Sequence, residues 1–86
     1  MAVQIDVYSK GYCPFCTRAK ALLKGKGATF NEMDITLGGP KKAEMQERAP
    51  GARTVPQIFI GDTHVGGYDD LAALESAGKL DALLAG

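Results

Sequence analysis

The stretch Val3-Gln4-Ile5-Asp6-Val7-Tyr8-Ser9-Lys10-Gly11-Tyr12-Cys13-Pro14-Phe15-Cys16 decides the architecture. Val3, Ile5 and Val7 alternate with Gln4, Asp6 and Tyr8, the period-two pattern of a strand. Ser9 to Cys13 reads as a loop. Pro14 suits the first position of a helix, where its missing N–H costs nothing. Phe15, Ala19, Leu22 and Leu23 then recur at helical spacing, with Arg18, Lys20 and Lys24 largely off that stripe. Gly25 or Gly27 ends the helix. A strand therefore turns through a short loop into a helix, and a C-x-x-C pair stands at the junction.

Further along the chain, Ala28 to Ile35 reads as a second strand with polar interruptions. Gly38-Gly39-Pro40 opens a second helix whose apolar face, around Met45 and Ala49, is thin, and Pro50-Gly51 closes it. Pro56 to Ile60 is a third strand, with proline tolerated at its start. Gly61-Asp62 turns the chain into a short fourth strand, Thr63 to Val65. Gly66-Gly67 breaks it, and Asp69 or Asp70 is positioned to cap a third helix carrying Leu71 and Leu74. Leu80, Leu83 and Leu84 mark a last short helix. The order β-α-β-α-β-β-α predicts an α/β fold of one domain, residues 1–86. Its first two strands are parallel through a right-handed crossover, a hairpin adds antiparallel strands, and helices flank a four-stranded mixed sheet.

Composition excludes several function classes. Ten Lys and Arg balance ten Asp and Glu among 86 residues, so a broad electrostatic nucleic-acid surface is not expected. No apolar run is long enough to span a bilayer. The start, Met-Ala-Val-Gln, leads directly into the first strand pattern without the marks of a secretory signal. A cytoplasmic location is the default expectation.

The two cysteines carry the chemistry. A closed structural zinc site needs four ligands, and His64 is the only histidine, so no metal is expected. A structural disulfide across so short a loop would contribute only about 2 kcal/mol, a poor staple in a reducing compartment. The pair reads instead as a redox dithiol. Cys13 precedes the helix, where free N–H groups and the positive end of the dipole favour a thiolate. An ordinary thiol of pKa about 8.5 is only about 3% thiolate at pH 7, so this matters. Cys16 lies one turn further in and is expected to be more buried. Cys13 is thus the expected nucleophile and Cys16 the resolving thiol, with Pro14 stiffening the turn between them.

Tyr12-Cys13-Pro14-Phe15-Cys16, Thr54-Val55-Pro56 and Gly66-Gly67-Tyr68-Asp69-Asp70, in this order, resemble the dithiol glutaredoxins of the short bacterial type. The resemblance covers nearly the whole chain. It implies a thioredoxin fold and reduction of disulfides, especially protein–glutathione mixed disulfides, with glutathione as cosubstrate. It also implies indirect coupling to glutathione reductase and NADPH, glutathionylated or disulfide-containing proteins as partners, and action as a monomer. Thioredoxin itself normally pairs a Trp with C-G-P-C, and this chain has no Trp.

The resemblance further implies a glutathione site made of Lys10, Tyr12, Arg53, Thr54, Val55, Pro56, Gly67, Tyr68 and Asp69. Lys10 is the candidate for the glycine carboxylate, or else a solvated loop lysine. Relatives often place an Arg or Gln near Ala43 for that carboxylate, and Lys42 and Arg53 are the candidate substitutes here. The implied Val55–Pro56 peptide is cis, with Val55 pairing its backbone with the cysteinyl part of the ligand like an added strand. Gly67 admits close backbone approach, and the N–H groups after it suit the γ-glutamyl carboxylate. Asp69 is a candidate for the ammonium, a role compatible with helix capping.

Phe15 stands where a Tyr is common, and Tyr68 where many relatives have Cys or a small residue, so an aromatic ring is expected to line the groove. His64 is expected on the surface, and Met33 and Met45 in the core. Two alternatives stay open: a [2Fe–2S] cluster bridged by Cys13 of two chains, which Pro14 disfavours, and a reductase fed by thioredoxin reductase.

Overall fold

The computed structural model describes residues 3–86. Its elements are β1 (Ile5–Ser9), α1 (Pro14–Gly25), β2 (Asn31–Asp34), α2 (Pro40–Arg48), β3 (Gln57–Ile60), β4 (Thr63–Gly66), α3 (Tyr68–Ser76) and α4 (Leu80–Leu84). The four strands form one sheet in the order β2-β1-β3-β4. β1 pairs with β2 in parallel, while β3 runs antiparallel to both β1 and β4. This is the thioredoxin fold that the sequence predicts.

Each helix starts and stops for a local reason. Pro14 opens α1 behind the N-cap Cys13. At its other end Gly27, at φ +72°, turns the chain so that the Ala28 N–H reaches the Leu23 carbonyl at 3.1 Å. Pro40 opens α2 in the same way.

The second strand is shorter than the sequence pattern implies. Only Asn31–Asp34 pair with β1, and all but Met33 are exposed. β2 is an edge strand with a wet face, so its polar residues are compatible with pairing. Met33, expected in the core, is half-buried and packs at its margin.

β1 departs from its alternating pattern in the opposite sense. All five of its residues are buried, because the strand is central and covered on both faces. Ile5 and Val7 join Ala19, Leu23, Ile58, Ile60, Leu71 and Leu80 in one apolar cluster. Tyr8 joins Ile35, Met45, Ala49 and Phe59 in a second cluster on the opposite face. Asp6 lies on this second face at only 7% exposure. It accepts hydrogen bonds from Gln4, Asn31 and Arg48 Nη1, the last two each at 3.0 Å. Burial opposes its ionisation, but these bonds and the Arg48 charge prevail and hold its carboxyl below the ordinary value.

Candidate active site

Cys13 sits at the N-cap of α1 in extended backbone. Its Sγ accepts the Cys16 N–H at 3.1 Å, one of the helix-start donors that lack a partner in the helix itself. The Cys13 thiol faces the Val55 carbonyl at 3.6 Å across the loop before β3. Cys13 is partly exposed, Cys16 is 1% exposed, and neither forms a disulfide. Burial, reinforced by the hydrogen bond to Cys13, pushes the Cys16 thiol up to about 11. Cys16 therefore stays protonated at neutral pH, while Cys13 is the sulfur an incoming disulfide can reach. The Gly11 N–H donates to Thr36 Oγ1 at 2.9 Å and ties the cysteine loop to the segment after β2.

A groove of about 570 Å³ is lined by Phe15 and by Val55, whose carbonyl faces the Cys13 sulfur, though Cys13 itself is not part of the lining. One wall is Ala49–Ala52 with Thr54, Val55 and Pro56, and the other is the turn Gly66–Asp70. Phe15 borders it, and Gln57 and His64 also line it. The Val55–Pro56 peptide is cis. Phe15 and Tyr68 stack with ring centroids 6.3 Å apart, and Arg18 lies 5.5 Å from the Phe15 centroid. Tyr68 thus places its ring in the groove wall against Phe15.

At the far wall the structure decides between Asp69 and Asp70, the two capping candidates of the sequence. α3 begins at Tyr68 with Gly67 as N-cap, and Asp70 reaches back to accept the Gly67 N–H at 3.0 Å. Asp70 does the capping, and Asp69 lies exposed in the first turn beside the groove. The backbone position that demands glycine is Gly66, at φ +111°, where an added Cβ would collide with the Asp70 carboxylate.

Of the residues singled out in the sequence, Thr54, Val55, Pro56, Gly67, Tyr68 and Asp69 meet around the groove. Lys10, Tyr12 and Arg53 are exposed and stand outside its lining. The Lys10 backbone faces the Cys16 sulfur, and Tyr12 projects fully into solvent.

Besides the Ala49–Ala52 turn, two polar side chains in the groove lining were not anticipated, Gln57 and His64. Gln57 Nε2 donates to the Thr54 carbonyl at 2.9 Å, and Gln57 Oε1 pairs with His64 Nε2 at 2.7 Å. His64 is exposed by area, as expected, yet its ring also stacks on Phe59 with centroids 4.6 Å apart. No spacing rule marks this contact, because it depends on the register across the β3–β4 turn.

Comparisons with known proteins agree with this geometry. The family model described as Glutaredoxin matches residues 5–65. A glutaredoxin of Pseudomonas aeruginosa is 54% identical over 80 residues, covering 93% of this chain and 94% of that one. The solution structure of a Brucella melitensis glutaredoxin superposes with a TM-score of 0.82 at 58% identity, covering 96% of this chain and 89% of that one. A crystal structure titled as a buckwheat glutaredoxin–glutathione complex superposes with a TM-score of 0.81 at 33% identity, covering 96% and 77% of the two chains. With a C-x-x-C pair at a helix start and these relatives over nearly its full length, the chain belongs to the glutaredoxin family and is a thiol–disulfide oxidoreductase.

Proposed function

We propose that the protein uses glutathione to reduce protein–glutathione mixed disulfides and protein disulfides, with Cys13-Pro14-Phe15-Cys16 as its reactive segment. The observation that carries this reading is the placement of the Cys13 sulfur 3.6 Å from the carbonyl of Val55, a residue that lines the groove. That groove has the volume of a small-molecule site. A peptide-like ligand laid along Val55 brings its own sulfur to Cys13. Glutathione fits by its chemistry. Its cysteinyl backbone adds to Val55 as a short strand. Its γ-glutamyl carboxylate takes N–H groups of the first turn of α3, and its ammonium takes Asp69. Its glycine carboxylate takes Lys10, Lys42 or Arg53. In the related buckwheat structure glutathione is part of the crystallised complex.

The reaction balances through sulfur alone. Cys13 thiolate attacks the glutathionyl sulfur of a protein–S–S–glutathione bond. The protein sulfur leaves as a thiolate and takes a proton, and Cys13 holds glutathione as a mixed disulfide. A second glutathione thiolate attacks the held glutathionyl sulfur, forms oxidised glutathione and returns Cys13 as thiolate. With a protein disulfide, Cys13 forms the mixed disulfide with one protein sulfur and expels the other as a thiolate. Cys16 then attacks the Cys13 sulfur and frees the first. Cys16 is held protonated, so it gives up its proton as it attacks, and the departing protein thiolate is a base able to take it. Two glutathiones re-reduce the Cys13–Cys16 disulfide. In this reading glutathione reductase and NADPH restore the glutathione pool, and the protein works as a monomer in a reducing, cytoplasmic setting.

The test is a comparison of two variants on a glutathionylated peptide. Cys13→Ser is expected to abolish turnover. Cys16→Ser is expected to keep turnover of the glutathionylated peptide and to lose reduction of a protein disulfide. Equal loss in both variants on the glutathionylated peptide would sink the assignment.

A further inference from the structure

We infer that His64 and Gln57 form a positioning chain for the ligand-facing backbone of Val55, a role that rests on the glutathione reading above. The direction of every bond in the chain is fixed by elementary donor and acceptor chemistry. The Thr54 carbonyl can only accept, so the NH₂ end of the Gln57 amide must face it, at 2.9 Å. The carbonyl end then faces His64, and because it too can only accept, the imidazole Nε2 must carry a hydrogen, at 2.7 Å. The Gln57 Nε2 also lies 3.4 Å from Thr54 Oγ1. Gln57 is 6% exposed, so water does not readily replace these partners. The imidazole is held in turn by its stack on Phe59, whose ring also takes the Arg48 guanidinium at 4.0 Å.

The consequence reaches the ligand through one peptide group. The Thr54 C=O and the Val55 N–H belong to the same planar trans unit and point in opposite directions. Anchoring the Thr54 oxygen to Gln57 therefore aims the Val55 N–H away from that side chain. It also steadies the residue whose carbonyl faces the Cys13 sulfur. A loose Thr54–Val55 peptide would cost ligand affinity before it cost chemistry. Gln57 and His64 are thus positioning residues that act through Thr54 and Val55.

Three variants test this. Gln57→Met keeps the side-chain length and removes both bonds. His64→Phe keeps an aromatic stack and removes only the outer donor. The third carries both changes. The loss of a hydrogen bond corresponds to a rise of about three- to ten-fold in KM for glutathione in Gln57→Met, with kcat within about two-fold of wild type. His64→Phe is expected to give a smaller rise, about two-fold. The double variant is expected to match Gln57→Met alone, because His64 acts only through Gln57.

Backbone order at Val55, read by NMR relaxation of its amide without glutathione, is expected to fall most in Gln57→Met and less in His64→Phe while β1 is unchanged. An unchanged KM, multiplicative effects in the double variant, or a loss of order across the whole sheet would overturn the inference. If Gln57→Met does not fold, His64→Phe still decides, since unchanged KM and unchanged Val55 order refute the chain. Should the wild type fail to use glutathione, the function reading falls, and the ligand-free relaxation data alone judge the positioning role.

Discussion

The two faces of the sheet are built differently. The face under α1 and α3 is apolar at its centre, with Val7, Ala19, Leu23, Ile58, Leu71 and Leu80 each at zero exposure, and turns polar only at its β2 edge, where Ser9 donates to Glu32 and Glu32 pairs with Lys20. The face under α2 mixes Tyr8, Met45 and Phe59 with Asp6, Arg48, Gln57 and His64. There Arg48 Nη1 donates to Asp6 and to the Tyr8 hydroxyl, at 3.0 and 2.9 Å, and Tyr8 donates to Glu44. Nonpolar burial is non-directional and serves stability. Hydrogen-bonded side chains fix directions, and the proposed seating of a polar peptide in the groove needs directions. The groove-lining Gln57 and His64 belong to the polar face.

The sharpest way to break this contrast is to damage the apolar face alone. Leu23→Ala leaves a void in a fully buried position. It is expected to cost about 3 kcal/mol, or roughly 15 °C in Tm, while kcat/KM of the folded fraction holds. Calorimetry beside kinetics at 15 °C checks both halves, and a matching collapse of kcat/KM would show that the faces are not separable.

A smaller loss is expected on the polar face. Arg48→Met removes the bonds to Asp6 and Tyr8 and is expected to cost about 1–2 kcal/mol at neutral pH. Asp6 is held below its ordinary 3.8 in the folded protein. A lowered carboxyl contributes stability above the unfolded value and loses it as pH falls through the folded one. The gap between variant and wild type should therefore narrow below about pH 3.8, as urea unfolding at pH 7 and pH 3 would reveal.

The last effect is confined to alkaline solution and is absent at neutral pH. The Cys16 thiol is raised from 9.0 to about 11. A raised group contributes stability below the unfolded value and loses it as pH rises through the folded one. Under reducing conditions the wild type should lose stability between about pH 9 and pH 11, and Cys16→Ser should lose less over the same range. Parallel declines would mean that Cys16 is not specially protected.

The element order, the helix starts at Pro14 and Pro40 and the C-x-x-C junction were legible because each rests on local chemistry within a few residues. The burial of Asp6 was not, since alternation in β1 says nothing about what covers its second face. The choice of Asp70 over Asp69 as the α3 cap turned on where the chain leaves β4, at Gly66. The Gln57–His64 contact required the β3–β4 register, which includes an irregularity between Ile58 and Phe59. Within the groove, the Thr54-Val55-Pro56 and Gly67-Tyr68-Asp69 motifs could be read from the chain. The side chains that hold them lie across a hairpin, where sequence spacing carries no directional information.

The measurement to make first is NADPH consumption with glutathione, glutathione reductase and a glutathionylated peptide, with this protein as the only added catalyst. The glutathione-linked reading predicts robust turnover that depends on both glutathione and the protein. A reduced, folded sample that gives no turnover there, yet reduces a protein disulfide when thioredoxin reductase supplies the electrons, would contradict it.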